Sequence, residues 1–170
     1  MARSVLVAYA SKHGSTQEVA DAIAETLREQ DLGVEVRPAG EVKRLDGYDA
    51  VVLGAAIYIG HLHQDARRFL TRHRQALAER PLAVFAMGPR TLGEEDVAES
   101  RRQLDHDLAK FRELEPVAVA IFGGVVDPAK LRFPFKRMPA SDARDWDAIH
   151  AWADEVASAF APNLAARQLR

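Results

Sequence analysis

The residues best equipped for chemistry stand together near one end of the chain. Ser11-Lys12-His13-Gly14-Ser15-Thr16 sets three hydroxyls, a lysine and a histidine around one glycine. Ahead of it, Val5 to Ala8 is an apolar run too short for a helix, and helical periodicity begins near Ser15. The hexapeptide is therefore a loop that leaves a strand and opens a helix. A helix start offers unpaired N–H groups and the positive end of the macrodipole, and Gly14 lets the backbone approach a ligand closely. Such a loop is suited to a phosphate. One hydroxyl there would serve as a simple helix cap, but three around a glycine exceed what capping needs. Neither Gly-x-Gly-x-x-Gly nor Gly-Lys followed by Ser or Thr occurs, so a mononucleotide fits better than a dinucleotide or a nucleoside triphosphate.

The surrounding pattern supplies the elements that position this loop. Val19, Ile23 and Leu27 with Ala20 and Ala24 form one apolar stripe, which predicts a helix packed on a sheet. Val34 and Val36 alternate with Glu35 and Arg37 in a short edge strand stopped by Pro38, and Ala50 to Gly54 reads as a central parallel strand. That strand is expected to deliver the chain into a loop from Ala55 to His61, followed by a helix from about His63 to Leu77 that buries Ala66, Phe69, Leu70, His73 and Leu77. Leu82 to Met87 is a fourth strand ending in Gly88-Pro89-Arg90-Thr91. Thr91 and Glu94 have capping-box spacing before a helix with Val97, Leu104, Leu108, Phe111 and Leu114 on its apolar side. Val117 to Phe122 is the fifth strand, closed by Gly123-Gly124, and a last helix from about Asp142 buries Trp146, Ile149, Trp152, Val156 and Phe160. Strands alternating with helices predict an α/β fold, a doubly wound parallel sheet with helices on both faces. In such sheets ligands sit at the carboxyl ends of the strands, where strand order reverses.

Composition narrows the function classes. The 170 residues suit one domain, expected over 1–160 with 161–170 as a frayed tail. The absence of cysteine excludes thiolate metal sites and thiol catalysis. With 23 basic and 25 acidic residues, no global field favours nucleic acid. No apolar run reaches membrane-spanning length and no signal segment precedes the first strand, so a cytoplasmic protein is expected. His61 and His63 make an incomplete metal site, and no metal is expected. Glu94-Glu95-Asp96 lies in a helix's first turn, where it complements the dipole.

Val7 to Ala20, with Tyr9, Ser11, Gly14, Thr16 and Ala20 at their spacings, resembles the flavodoxin signature for the phosphate of flavin mononucleotide (FMN). Ala8 departs from that signature at a packing position. Val51 to His63, then Phe69 and His73, and later Asp145-Trp146, are similar to the menaquinone-dependent protoporphyrinogen oxidase branch of flavodoxin-fold proteins. The resemblance runs from Val5 to about Ala159. The oxidase of that branch carries a long insertion after its fifth strand, whereas the interval from Gly124 to Asp142 is short here, closer to compact flavodoxin-domain relatives.

The resemblance implies a flavodoxin-like five-stranded sheet of order 2-1-3-4-5 and FMN as cofactor. It places the phosphate on Ser11, Lys12, His13, Gly14, Ser15 and Thr16. The isoalloxazine is expected between Ala56-Ile57-Tyr58-Ile59-Gly60 and Met87-Gly88-Pro89-Arg90-Thr91, with Gly123 beside it and Tyr58 as the stacking ring. Arg90 at the pyrimidine end would favour the anionic reduced flavin and two-electron chemistry, the alternative being a solvated arginine. No catalytic side chain is implied beyond the flavin itself. After strand five, Lys130, Arg132, Lys136 and Arg137 with Phe133 and Phe135 would suit a flat anionic substrate or a membrane surface, with His61 on the same substrate side. The alternative tucks the phenylalanines into the core and leaves the cations solvated. The expected function is an FMN-dependent oxidoreductase passing electrons from a small organic substrate to a quinone-like acceptor. The alternative is an electron carrier docking on redox proteins. Peripheral membrane contact and a homodimer are compatible with either.

Overall fold

Alternation along the first strand sets the layers. In β1 (Ser4–Ala10), Val5 and Val7 point to one face of the sheet while Leu6, Ala8 and Ala10 point to the other, and all five are buried. The computed structural model describes residues 3–12, 14–89, 92–126 and 141–168. Along it follow α1 (Ser15–Glu29), β2 (Gly33–Pro38), a 3₁₀ turn (Ala39–Glu41), β3 (Ala50–Tyr58) and β4 (His61–Leu62). Then come α2 (Gln64–Arg72), α3 (Arg74–Ala78), β5 (Leu82–Met87), α4 (Glu94–Leu108) and β6 (Ala118–Phe122). β7 (Val125–Val126), β8 (Ser141–Asp142) and α5 (Trp146–Gln168) complete it.

The sheet has the order β2-β1-β3-β5-β6, with all four of those pairings parallel. The two-residue β4 folds back antiparallel on β3. Counted without β4, the long strands run in the expected order 2-1-3-4-5. Helices α1 and α5 cover the face that carries Val5, Val7, Val52 and Phe85, and α2, α3 and α4 cover the face that carries Leu6, Leu53 and Val84. Phe85, Phe122 and Trp152 form an aromatic triad with ring centroids 5.7–5.9 Å apart. Order reverses between β1 and β3, so the crevice at their carboxyl ends is where a ligand belongs.

The structure corrects several expectations. Ala55 to Tyr58 is strand, because Ala55 pairs with both Ala10 and Ala86 and Ala56 pairs with Met87. The expected helix from His63 to Leu77 breaks at His73 (φ −104°, ψ 18°), whose ring turns inward to the Val42 carbonyl at 3.1 Å. Gly93 is the N-cap of α4, and no side-chain cap bond forms there among the described residues. α4 ends at Leu108, yet Phe111 and Leu114 are buried from the turns beyond it. Trp146 is 37% exposed, its ring lying under the Arg144 guanidinium at 4.9 Å. α5 continues through Pro162 to Gln168 where the sequence suggests a tail. Burying Phe160 and Leu164, about 1.5–3 kcal/mol each, offsets the bond and clash cost of an interior proline, about 3 kcal/mol, and both residues are 2% exposed or less.

Candidate functional site

The loop after β1 enters α1 through Gly14, which sits in the left-handed region at φ 84° and serves as N-cap with no side-chain cap bond. A Cβ built on Gly14 meets nothing within 4 Å among the described residues beyond its chain neighbours. The first helical bond runs from Glu18 N–H to the Gly14 carbonyl at 3.2 Å. The N–H groups of Ser15, Thr16 and Gln17 thus precede the helical ladder and face outward along its positive end. Thr16 is fully buried, and its Oγ1 is an orphan: among the described residues it is the buried side-chain polar atom without a hydrogen-bond partner. An orphaned hydroxyl in a core costs about 1–3 kcal/mol, and such a group calls for a partner beyond the described residues.

Across the crevice, β3 ends in a tight hairpin. Ile57 pairs with Leu62 and Tyr58 with His61, and the two residues between them, Ile59 (φ 48°) and Gly60 (φ 79°), both take positive φ. Ile59 is 93% exposed in a backbone conformation that β-branched residues avoid. Burial pushes the Tyr58 phenol above its ordinary value, while hydrogen bonds from the Lys12 backbone and the Ser11 hydroxyl pull the other way. Tyr58 therefore ties the hairpin to the loop between β1 and α1. The Lys12 ammonium lies 6.0 Å from its ring centroid, and the His63 ring meets its edge at 5.9 Å.

The third wall is the end of β5. Gly88 N–H donates to the Phe122 carbonyl at 3.2 Å and Gly124 N–H to the Pro89 carbonyl at 2.8 Å. Met87 is 3% exposed and packs with Phe85 and Phe122 rather than lining the crevice. Gly123 has its side-chain space filled by its own chain, since a Cβ there would lie 2.0 Å from the Ala143 carbonyl oxygen. The structure thus brings together Ser11, Lys12, Gly14, Ser15 and Thr16 with the Ala56–Gly60 hairpin and Gly88. His13, Arg90, Thr91, Lys130, Arg132, Phe133, Phe135, Lys136 and Arg137 lie outside the described residues. Among the described residues no helix is long and apolar enough to cross a membrane.

Sequence reading missed the underside of the hairpin. α4 presents Gln103 and Asp107 to it, and Ser100 to the neighbouring end of β5: a Cβ on Gly60 would come within 4.0 Å of Gln103 Nε2, and one on Gly88 within 2.8 Å of Ser100 Oγ. Asp107 accepts from the Leu62 N–H at 2.8 Å and lies 3.4 Å from His61 Nδ1 and 3.4 Å from Lys110 Nζ. Burial alone would raise the Asp107 carboxyl, but the Leu62 N–H, the His61 ring and Lys110 overcome it and hold the group below the ordinary carboxylate value. The signal was available. Ser100, Leu104, Asp107 and Phe111 follow the spacing of one helix face, so two polar residues stand on the apolar stripe.

Two further histidines make the molecule sensitive to acid. His63 Nδ1 accepts from the Asp65 N–H at 3.1 Å as the N-cap of α2, and only the unprotonated nitrogen can do so. His73 is 6% exposed. Burial lowers both below the ordinary value of 6.5. The unfolded chain therefore binds protons that the folded one resists, and stability is full above 6.5, then declines as pH falls through 6.5 toward the folded values. Urea unfolding at about pH 7.5 and about pH 5.5 should give the lower midpoint at the acid value. An unchanged midpoint would contradict the two histidine environments.

Comparison with known proteins bears on the family and the fold. A family model described as a flavodoxin domain matches residues 6–139. The protoporphyrinogen IX dehydrogenase (quinone) of Escherichia coli strain K12 is 31% identical over 86 residues, which are 48% of this chain and 46% of that relative. The chain therefore spans about half the length of the curated relative it matches. Among solved structures, a cysteine-to-alanine mutant of flavodoxin from Pseudomonas aeruginosa superposes with a TM-score of 0.61 at 17% identity, covering 92% of this chain and 98% of the other. The rubredoxin:oxygen oxidoreductase of Desulfovibrio gigas gives a TM-score of 0.61 at 17% identity over 95% of this chain and 37% of the other. At these identities the structural likeness speaks for the fold.

Proposed function

The chain belongs to the flavodoxin domain family, and from that premise we propose that it binds FMN and works as an oxidoreductase, passing electrons from a small organic substrate to a quinone-like acceptor. The observation that carries the reading is the orphaned Thr16 Oγ1, buried behind the left-handed Gly14 at a helix N-terminus. A phosphate monoester supplies acceptor oxygens for that hydroxyl and for the N–H groups of Ser15, Thr16 and Gln17, and its charge suits the helix dipole. Ser11 and Lys12 complete the cradle, and Tyr58 with the Ile59–Gly60 turn borders the flavin ring. Bound FMN supplies the redox chemistry, accepting and releasing electrons singly or in pairs. The chain's own residues hold the phosphate, keep Tyr58 against the loop and leave the hairpin edge open to a reactant.

Transfer to a quinone is supported by the 31% identity to a quinone-dependent dehydrogenase over half this chain. A second reading, an electron carrier for redox proteins, is favoured by one feature: Glu94, Glu95 and Asp96 are exposed in the first turn of α4, close to the loop after β5. Stopped-flow mixing separates the two. The FMN-loaded protein, photoreduced anaerobically, should be re-oxidised by a soluble benzoquinone at a saturating rate of about 1–10³ s⁻¹. Slow re-oxidation by quinone together with fast, salt-sensitive re-oxidation by a haem protein would replace the enzyme reading with the carrier.

A further inference from the structure

We propose that Asp107 is a positioning residue for His61. Its carboxylate takes the Nδ1–H of the His61 ring and leaves Nε2 at the surface beside the Ile59–Gly60 turn, where it hands a proton to an organic electron acceptor. The proposal rests on the redox reading above and deepens it.

The position of Asp107 is chemically expensive. Its side chain is 1% exposed, and it lies in the last turn of α4, where the helix dipole disfavours negative charge. The Leu62 N–H needs an acceptor there, but a neutral asparagine would supply one without burying a charge. What a carboxylate adds is an anionic partner for the imidazole 3.4 Å away. A carboxylate on one ring nitrogen fixes the tautomer, so the proton sits on Nδ1 and the other nitrogen is free to exchange. The His61 side chain is 50% exposed, one residue beyond the Ile59–Gly60 turn and opposite Tyr58 in the hairpin. Among the described residues, the other titratable groups facing the pair are His106 on α4, whose ring centroid is 6.4 Å from that of His61, and Lys110 in the turn just beyond α4, 3.4 Å from the Asp107 carboxylate. Lys110 is half exposed, so solvent partly screens its ion pair with the buried Asp107.

The balance of the step is simple. A quinone becomes a hydroquinone by taking two electrons and two protons. Reduced FMN, held at the crevice, would supply both electrons and one proton. The second proton is the Nε2–H of the His61 imidazolium, and bulk water restores it.

The test has one arm that needs no turnover. Long-range ¹H–¹⁵N spectra of the histidine rings in the FMN-loaded protein should show the neutral form of His61 as the Nδ1–H tautomer. Asp107→Asn should convert it to Nε2–H, because the asparagine amide can turn an N–H toward the ring. A wild-type His61 already in the Nε2–H form, or one that Asp107→Asn leaves unchanged, overturns the proposal. In the second arm, Asp107→Asn and His61→Gln should each slow re-oxidation by benzoquinone about tenfold. FMN affinity should stay within about twofold, and the double variant should be no slower than either single. Equal slowing by Asp107→Asn in the wild-type and His61→Gln backgrounds overturns the proposal as well. Should Asp107→Asn fail to fold, His61→Gln at its exposed position decides, and an undiminished quinone rate sinks the idea. Wild-type protein that binds FMN but reduces no quinone refutes the functional reading and proton delivery with it, and the tautomer spectra then decide the positioning of His61 by themselves.

Discussion

Thr16→Val is expected to make the FMN-free protein more stable by about 1 kcal/mol and at the same time to weaken FMN binding about 10- to 100-fold. The two effects have opposite signs for one reason. Thr16 Oγ1 is fully buried and finds no partner among the described residues, so the empty protein carries its desolvation cost, and a methyl group of nearly the same shape removes it. With a phosphate in place the hydroxyl makes a hydrogen bond to a charged acceptor, worth about 1.5–3 kcal/mol, which valine forfeits. Thr16→Glu goes further, setting a carboxylate against the phosphate, and should eliminate binding altogether. Quenching of flavin fluorescence measures the affinity, and thermal unfolding of the flavin-free protein measures the stability. A valine variant that loses stability and keeps its affinity would remove Thr16 from the phosphate site.

Gly54→Ala should be the most damaging single methyl group in the sheet. Gly54 pairs directly with Phe85 on β5, and the Phe85 ring lies over the glycine so closely that a Cβ would stand 2.0 Å from its Cζ. Phe85 cannot swing aside, since it is fully buried between Phe122 and Trp152. Overpacking of this kind costs about 3 kcal/mol, which for a chain of this size lowers Tm by about 6–12 °C. Adding Phe85→Leu should restore part of the loss by clearing the space, a non-additive result that identifies the clash as the cause. Independent, additive losses from the two changes would show that the ring does not occupy that space.

The sheet was legible because its strands are short apolar runs separated by helices with one apolar stripe, and burial on both faces leaves such runs few other places to go. The strand-to-helix junction from Ser11 to Gly14 was legible for a similar reason, since a polar, glycine-containing break between an apolar run and a helical stripe has a local meaning. What escaped depends on contacts made at long range. Ala55 to Tyr58 looks like a loop until Ala10 and Ala86 flank it. His73 fits the helical stripe, and only the Val42 carbonyl explains why the chain breaks there. Asp107 reads as one more charge on a polar helix, and its meaning comes from a hairpin 45 residues away in sequence. Trp146 follows the apolar register of α5, but it lies at the helix's first turn, where Arg144 covers it in place of the core.

The most direct test of the account is a pair of binding titrations on the flavin-free protein, one with FMN and one with riboflavin, which carries the same ring without the phosphate. If the β1–α1 loop is a phosphate site, FMN should bind at least about 100-fold more tightly, because riboflavin leaves Thr16 Oγ1 and the first-turn N–H groups unpartnered. Equal affinity for the two, or no binding of either, would contradict it.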